Sequence, residues 1–294
     1  MATLTQLHET HMGGDFRDFF INGSAIYDYS IPGTNCSKCG KMWAYLQITT
    51  FECPDEIREE MADVVDAKPN MPWEELSVFI SKWERKVIEY YPNARLLPGF
   101  NLQPIKWDIP SYPESDVYFK MGSVIVRDNV KQVIEKNRFT GLCFFSVLLG
   151  QVGELKESEI ILEDEIDMEE DVIEPGDLLA AAPKLDDLND VGIFFNAITE
   201  FDAYRDIKEK ESRVTKACDF CGYVRYDLPQ ERQEEYEYYN LNKFIPEKYV
   251  PDYDIFDSHI HRGWLMRPEV YEALKTECDL RNCEVHEIKV VNNP

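Results

Sequence analysis

The sequence lacks any run of about 18 consecutive apolar residues, so no membrane-spanning helix is expected. The opening stretch, MATLTQLHETHMGGDFRDFF, has neither a basic n-region nor an apolar h-region, so no secretory signal is expected either. Basic residues are scarce. Lys plus Arg number 31 against 56 Asp plus Glu, giving a formal net charge of −25. Such a charge repels nucleic-acid phosphate and anionic membrane surfaces. It favours a basic partner, because complementary fields speed encounter, and it also serves plain solubility. There is no phosphate-binding G-x-x-x-x-G-K-[ST] loop, no G-x-G-x-x-G and no nucleophile elbow G-x-S-x-G. Carboxylates are so numerous that no pair stands out as an acid–base couple. These absences argue against an enzyme.

What is present begins with cysteine. Cys36-Ser37-Lys38-Cys39-Gly40 and Cys218-Asp219-Phe220-Cys221-Gly222 are two CxxCG knuckles. Two residues between cysteines let both thiolates face one ion, and the following glycine permits the positive φ of a tight turn. Strand-like stretches follow each knuckle, Met42–Ile48 and Tyr223–Tyr226, which is the order of a zinc ribbon. Cys36, Cys39, Cys218 and Cys221 are therefore expected to hold one zinc ion. Four thiolates leave no open position, so the ion would be structural. Neither knuckle opens a helix, as a redox CxxC normally does. Metal-ligand cysteines without a disulfide framework fit a reducing cytoplasm. The knuckle regions, 30–50 and 214–228, are far apart in the chain, so the metal would staple two distant segments.

The rest reads as a single α+β chain over 1–294. Residues 54–91 look helical, most clearly from Trp73 to Tyr91. There Leu76, Phe79, Ile80, Trp83, Val87 and Tyr90 form one apolar face. A proline-rich connection from Leu96 to Pro113 should be loop, with a short strand near Ile105. An internal repeat follows: Val124–Ile134 can be laid on Trp264–Leu274, matching Arg127 with Arg267, Val130 with Val270 and Ile134 with Leu274. Upstream, Asp116-Val117-Tyr118 echoes Asp254-Ile255-Phe256. Each copy, 116–150 and 254–291, reads as a strand–helix–strand unit within mixed sheets. Cys143 and Cys283 correspond and should be core cysteines. Between the copies, the insertion 154–177 carries twelve acidic residues and one basic residue, interrupted by apolar side chains. It is either a solvated face or a docking surface for a cationic partner.

Two histidine patterns mislead. Asp257-Ser258-His259-Ile260-His261 looks like a D-x-H-x-H metal motif, but too little chain follows it to build the barrel such enzymes need. His8 and His11 lie in a segment expected to be irregular, where metal binding would be incidental.

Taken together, Ile31-Pro32-Gly33 leading into the first knuckle, Leu97-Pro98-Gly99, the unit around Arg127, the second knuckle and the unit from Asp254 to Val291 resemble a bacterial family named for its double CXXCG motif. The resemblance covers about two-thirds of the chain. Some members of that family are immunity proteins that protect a cell from a toxin delivered by its neighbours. The resemblance implies a cytoplasmic, non-enzymatic protein that binds and blocks a cognate toxin. Only the four cysteines carry over as functional positions. The acidic insertion extends beyond the family pattern, so partner specificity would lie there. Since many intracellular toxins are basic nucleases, an acidic inhibitor would mimic phosphate in their grooves. The alternative is a zinc-stabilised enzyme or regulator of another type.

Overall fold

The computed structural model of the chain describes residues 2–9, 24–45, 47–68, 70–109, 115–120, 123–152, 193–200, 210–258, 260–261 and 263–292. The acidic insertion 154–177, His11 and His259 lie outside these residues. The fold is mixed α+β. Strands β1 (Thr3–Glu9), β2 (Ser24–Ile26), β3 (Gly33–Asn35), β4 (Met42–Trp43) and β5 (Ile48–Glu52) precede helix α1 (Asp55–Ala67). Strand β6 (Asn70–Pro72) runs straight into helix α2 (Trp73–Tyr90). Next come β7 (Asn101–Gln103), β8 (Ile105–Ile109), β9 (Val117–Lys120) and β10 (Ser123–Arg127), then α3 (Asp128–Asn137), β11 (Leu142–Val152) and β12 (Phe194–Thr199). The remainder holds β13 (Arg213–Ala217), β14 (Val224–Asp227), α4 (Gln230–Leu241), β15 (Phe244–Pro246), a 3-10 turn (Glu247–Tyr249), β16 (Ile255–Asp257), β17 (Trp264–Met266), α5 (Pro268–Glu277) and β18 (Cys283–Val291).

The helical region is two helices, not one. Pro69 and Pro72 lack the amide hydrogen that a continuous helix needs. Strand β6 fills the gap and pairs parallel with β3. Pro72 caps α2, and Glu74 and Glu75 in its first turn complement the positive end of the helix dipole. Leu76, Ile80, Trp83 and Val87 form its buried stripe, packing with Ile57 and Met61 of α1 and with Met71 and Leu102. Tyr90 departs from the expected apolar face. It is exposed, and its hydroxyl donates to Glu56 at 2.7 Å.

Two larger sheets repeat one plan. A six-stranded sheet runs β2-β8-β11-β12-β10-β9, and a five-stranded sheet runs β15-β18-β1-β17-β16. In each, a hairpin (β9–β10 or β16–β17) is followed by a helix and a long strand. In each, that long strand pairs parallel with one neighbour, β8 or β15, and antiparallel with a central strand, β12 or β1. The first sheet takes its central strand from beyond the acidic insertion. The second takes it from the N-terminus of the chain. Residues 3–9, expected to be irregular, are therefore the middle strand of the C-terminal sheet. No local pattern marks them, because both partners lie near the other end of the chain.

The two units share one core. Helices α3 and α5 bring Val130, Val133 and Ile134 against Val270 and Leu274, with Leu7, Val117, Ile255 and Trp264 completing the cluster. Burying each such aliphatic side chain is worth about 1.5–3 kcal/mol. Reciprocal hydrogen bonds tie the units together. Asp116 accepts the Asp279 amide beyond α5 at 2.7 Å, and Asp254 accepts the Thr140 amide beyond α3 at 2.8 Å. Within each unit the same aspartate's carbonyl accepts from an arginine amide, Arg127 or Arg267, at 2.9 Å. Gly141, at φ +105°, lets the units meet, since a Cβ there would stand 1.9 Å from the Ile255 carbonyl oxygen. Cys283 sits half-buried at the margin of this core rather than inside it, and Cys143 is likewise only half-buried.

Candidate metal centre

Each knuckle is the tip of a β-hairpin. Strands β3 and β4 flank the first, and β13 and β14 flank the second. Their backbones are equivalent. The Gly40 amide donates to the Cys36 carbonyl at 2.8 Å, and the Gly222 amide donates to the Cys218 carbonyl at 2.9 Å. The Cys36 amide bonds the Lys41 carbonyl, and the Cys218 amide bonds the Tyr223 carbonyl. Both glycines have positive φ, +64° and +75°, which a side chain would strain. The turns thus present both thiols of each pair on one side.

The fold brings the two pairs together. Cys36 Sγ lies 4.0 Å from Cys218 Sγ across 182 residues, and Cys39 Sγ lies 3.9 Å from Cys221 Sγ. All four sulfurs fall within 4.8 Å of one another, a set that can hold a metal ion. The spacing is informative. Metal–sulfur bonds of about 2.3 Å in a tetrahedron place sulfurs about 3.8 Å apart. A disulfide would need about 2.05 Å, and all eight cysteines are free thiols.

The surroundings are apolar. Trp43, Trp73 and Tyr223 pack around the sulfurs, and Cys36, Cys218 and Cys221 are buried. Thr34, on β3, donates to the Met71 carbonyl at 3.1 Å and ties the first knuckle to β6. Ser37 donates to Glu74 at the start of α2. Between the knuckles, Lys38 and Asp219 form an exposed ion pair at 3.6 Å, of the kind worth little. The thiols are not alike. Amides of Cys221 and Phe220 bring Cys218 down to about 7, whereas burial pushes Cys221 up to about 12. Four adjacent thiolates in an apolar pocket need a cation to coexist.

The other cysteines stand apart from this group. Cys53 is buried in the α1–α2 core, where desolvation pushes its thiol up to about 12. His261 is buried with Nε2 against the Phe244 carbonyl at 2.8 Å, and desolvation lowers its pKa. The Ser258 hydroxyl accepts the Ile260 and His261 amides. His8, in contrast, lies beside Glu284 and His286 of β18. Sequence reading could not find that grouping, because cross-strand register alone creates it.

No family model matches the chain, and no curated protein matches it.

Proposed function

We propose that zinc is the ion held by Cys36, Cys39, Cys218 and Cys221 in a zinc-ribbon-like arrangement, and that the chain is a cytoplasmic immunity protein. It binds and blocks a cognate toxin, a basic nuclease-like effector, without chemistry of its own. All-thiolate coordination favours zinc and leaves no open position for substrate, which supports a structural role for the site. The net charge of −25 carries the partner reading, since it favours a cationic protein over nucleic acid or membrane. Helix α4 adds a local feature of the same sign. Glu231, Glu234 and Glu237 are exposed there beside exposed Tyr238 and Leu241. Acidic groups around an aromatic and a leucine suit a basic interface with an apolar centre.

The test is binding between the purified chain and the product of the neighbouring gene, measured across a salt series. A tight complex that weakens steeply with ionic strength is the expected result. No complex with that product would overturn the immunity reading. A complex indifferent to salt would overturn its electrostatic basis.

A further inference from the structure

A second candidate metal site lies on the five-stranded sheet, away from the knuckles. In the antiparallel pair β1–β18, His8 stands opposite Glu284, and Gln6 stands opposite His286. Alternate residues of a strand share a face, so His8, Glu284 and His286 project on the side that buries Leu4 and Ile288. One carboxylate oxygen, Glu284 Oε2, is 3.7 Å from Nε2 of His8 and 3.7 Å from Nε2 of His286. Those separations exceed hydrogen-bond length. The two imidazoles stack with centroids 4.9 Å apart and planes 26° from parallel. All three donor atoms fall within 4.8 Å of one another.

We infer that His8, Glu284 and His286 form an open site for a divalent transition-metal ion of the zinc class. Two imidazoles and one carboxylate are borderline donors that select such ions over magnesium or calcium, which prefer all-oxygen shells. A tetrahedral N₂O set with bonds of about 2.0–2.1 Å has donor separations of about 3.3–3.4 Å, so the two histidine–carboxylate distances need shorten by only a few tenths of an ångström, with side-chain rotation bringing the two imidazole nitrogens to the same spacing. The pairing of β1 with β18 supplies the rigidity. Exposure differs across the set: the His8 side chain is 13% exposed, against 37% for Glu284 and 38% for His286. One ligand is thus anchored while the outer face stays open. Three protein donors leave at least one coordination position for water or for a donor from another molecule. This makes the site chemically unlike the four-thiolate centre, and it stands independently of the immunity reading.

The test is zinc stoichiometry and affinity on the full chain, by equilibrium dialysis with elemental analysis, alongside Glu284→Gln and His286→Ala. Wild type should take up two zinc ions per chain at micromolar free zinc, unaffected by excess magnesium. Each variant should take up one and keep a wild-type circular dichroism spectrum. Retention of the knuckle ion shows that a variant has folded. Glu284→Gln preserves the side-chain shape should His286→Ala disturb the sheet. A single ion in wild type that both variants retain, a second ion bound only at millimolar zinc, or two ions in folded variants would each overturn the inference, whereas a single ion lost in both variants would overturn the knuckle site instead.

Discussion

Removing the metal from the four-cysteine centre should cost this chain a large part of its stability, and the cost can be worked from the structure. The Cys36–Cys218 contact closes a loop of 182 residues. In the chain-entropy picture, one cross-link over that span removes about 5 kcal/mol of unfolded-state freedom. Whole domains are stable by only about 5–15 kcal/mol. Among the described residues the second knuckle has little else to hold it. All five residues of β13 are exposed, and among the described residues its only strand partner is β14. A two-stranded ribbon is marginal alone. Beyond the sulfurs, the hairpin meets the first knuckle through Tyr223 against Trp43, the Lys38–Asp219 pair and Lys38 over Phe220. Urea unfolding with and without a strong chelator should show a midpoint shift equivalent to several kcal/mol. Hydrogen exchange in 213–227 should accelerate before the α3–α5 core opens. Cys36→Ser and Cys221→Ser should each reproduce most of the loss, and the double variant should add little, because either one alone destroys the site. Cys53→Ser, buried outside the centre, gives a control that keeps the wild-type response to chelation. An unchanged midpoint after chelation, or fully additive losses from Cys36→Ser and Cys221→Ser, would refute the staple.

Three further outcomes are expected. Leu274→Ala removes a fully buried side chain from the core shared by both units and should cost about 2–5 kcal/mol in urea unfolding. Gly141→Ala forces a Cβ onto the Ile255 carbonyl at positive φ and should cost more than about 3 kcal/mol, read as a lowered melting temperature. Partial burial opposes the ionisation of Glu211, but hydrogen bonds from Tyr236 and Tyr249, with Lys248 and Arg232 nearby, bring its pKa below the ordinary carboxylate value. A depressed folded pKa gives stability that is present above the unfolded carboxylate value and is lost as pH falls through the folded one. Glu211→Gln should therefore cost about 1–2 kcal/mol near neutral pH and less in acid, seen by comparing unfolding midpoints at both pH values.

Much of the four-cysteine cluster was legible from local spacing. A CxxCG motif sets its own turn, so the backbone of each knuckle follows from five residues. Which knuckle faces which was not local, and neither were the aromatic walls: Trp73 arrives on the first turn of α2, and Trp43 on the short strand after the turn. Helix α2 was legible because its buried stripe repeats at helical spacing. Its start was marked by proline and acid, whereas the exposure of Tyr90 depended on where α1 ends up. Both strand–helix–strand segments carried matching residues, and the structure gives each the same pairings.

The sequence by itself determined what short-range chemistry can write: the cysteine turns, the amphipathic faces and the acidic charge. Tertiary structure alone decided the long-range partnerships. It sent residues 3–9 to the middle of the C-terminal sheet, and that choice brought His8 beside Glu284 and His286. The reason is physical. A helix or a knuckle satisfies its own backbone within a few residues, whereas a strand can pair with many others. The pairing that survives is the one that buries the most apolar surface across the whole chain.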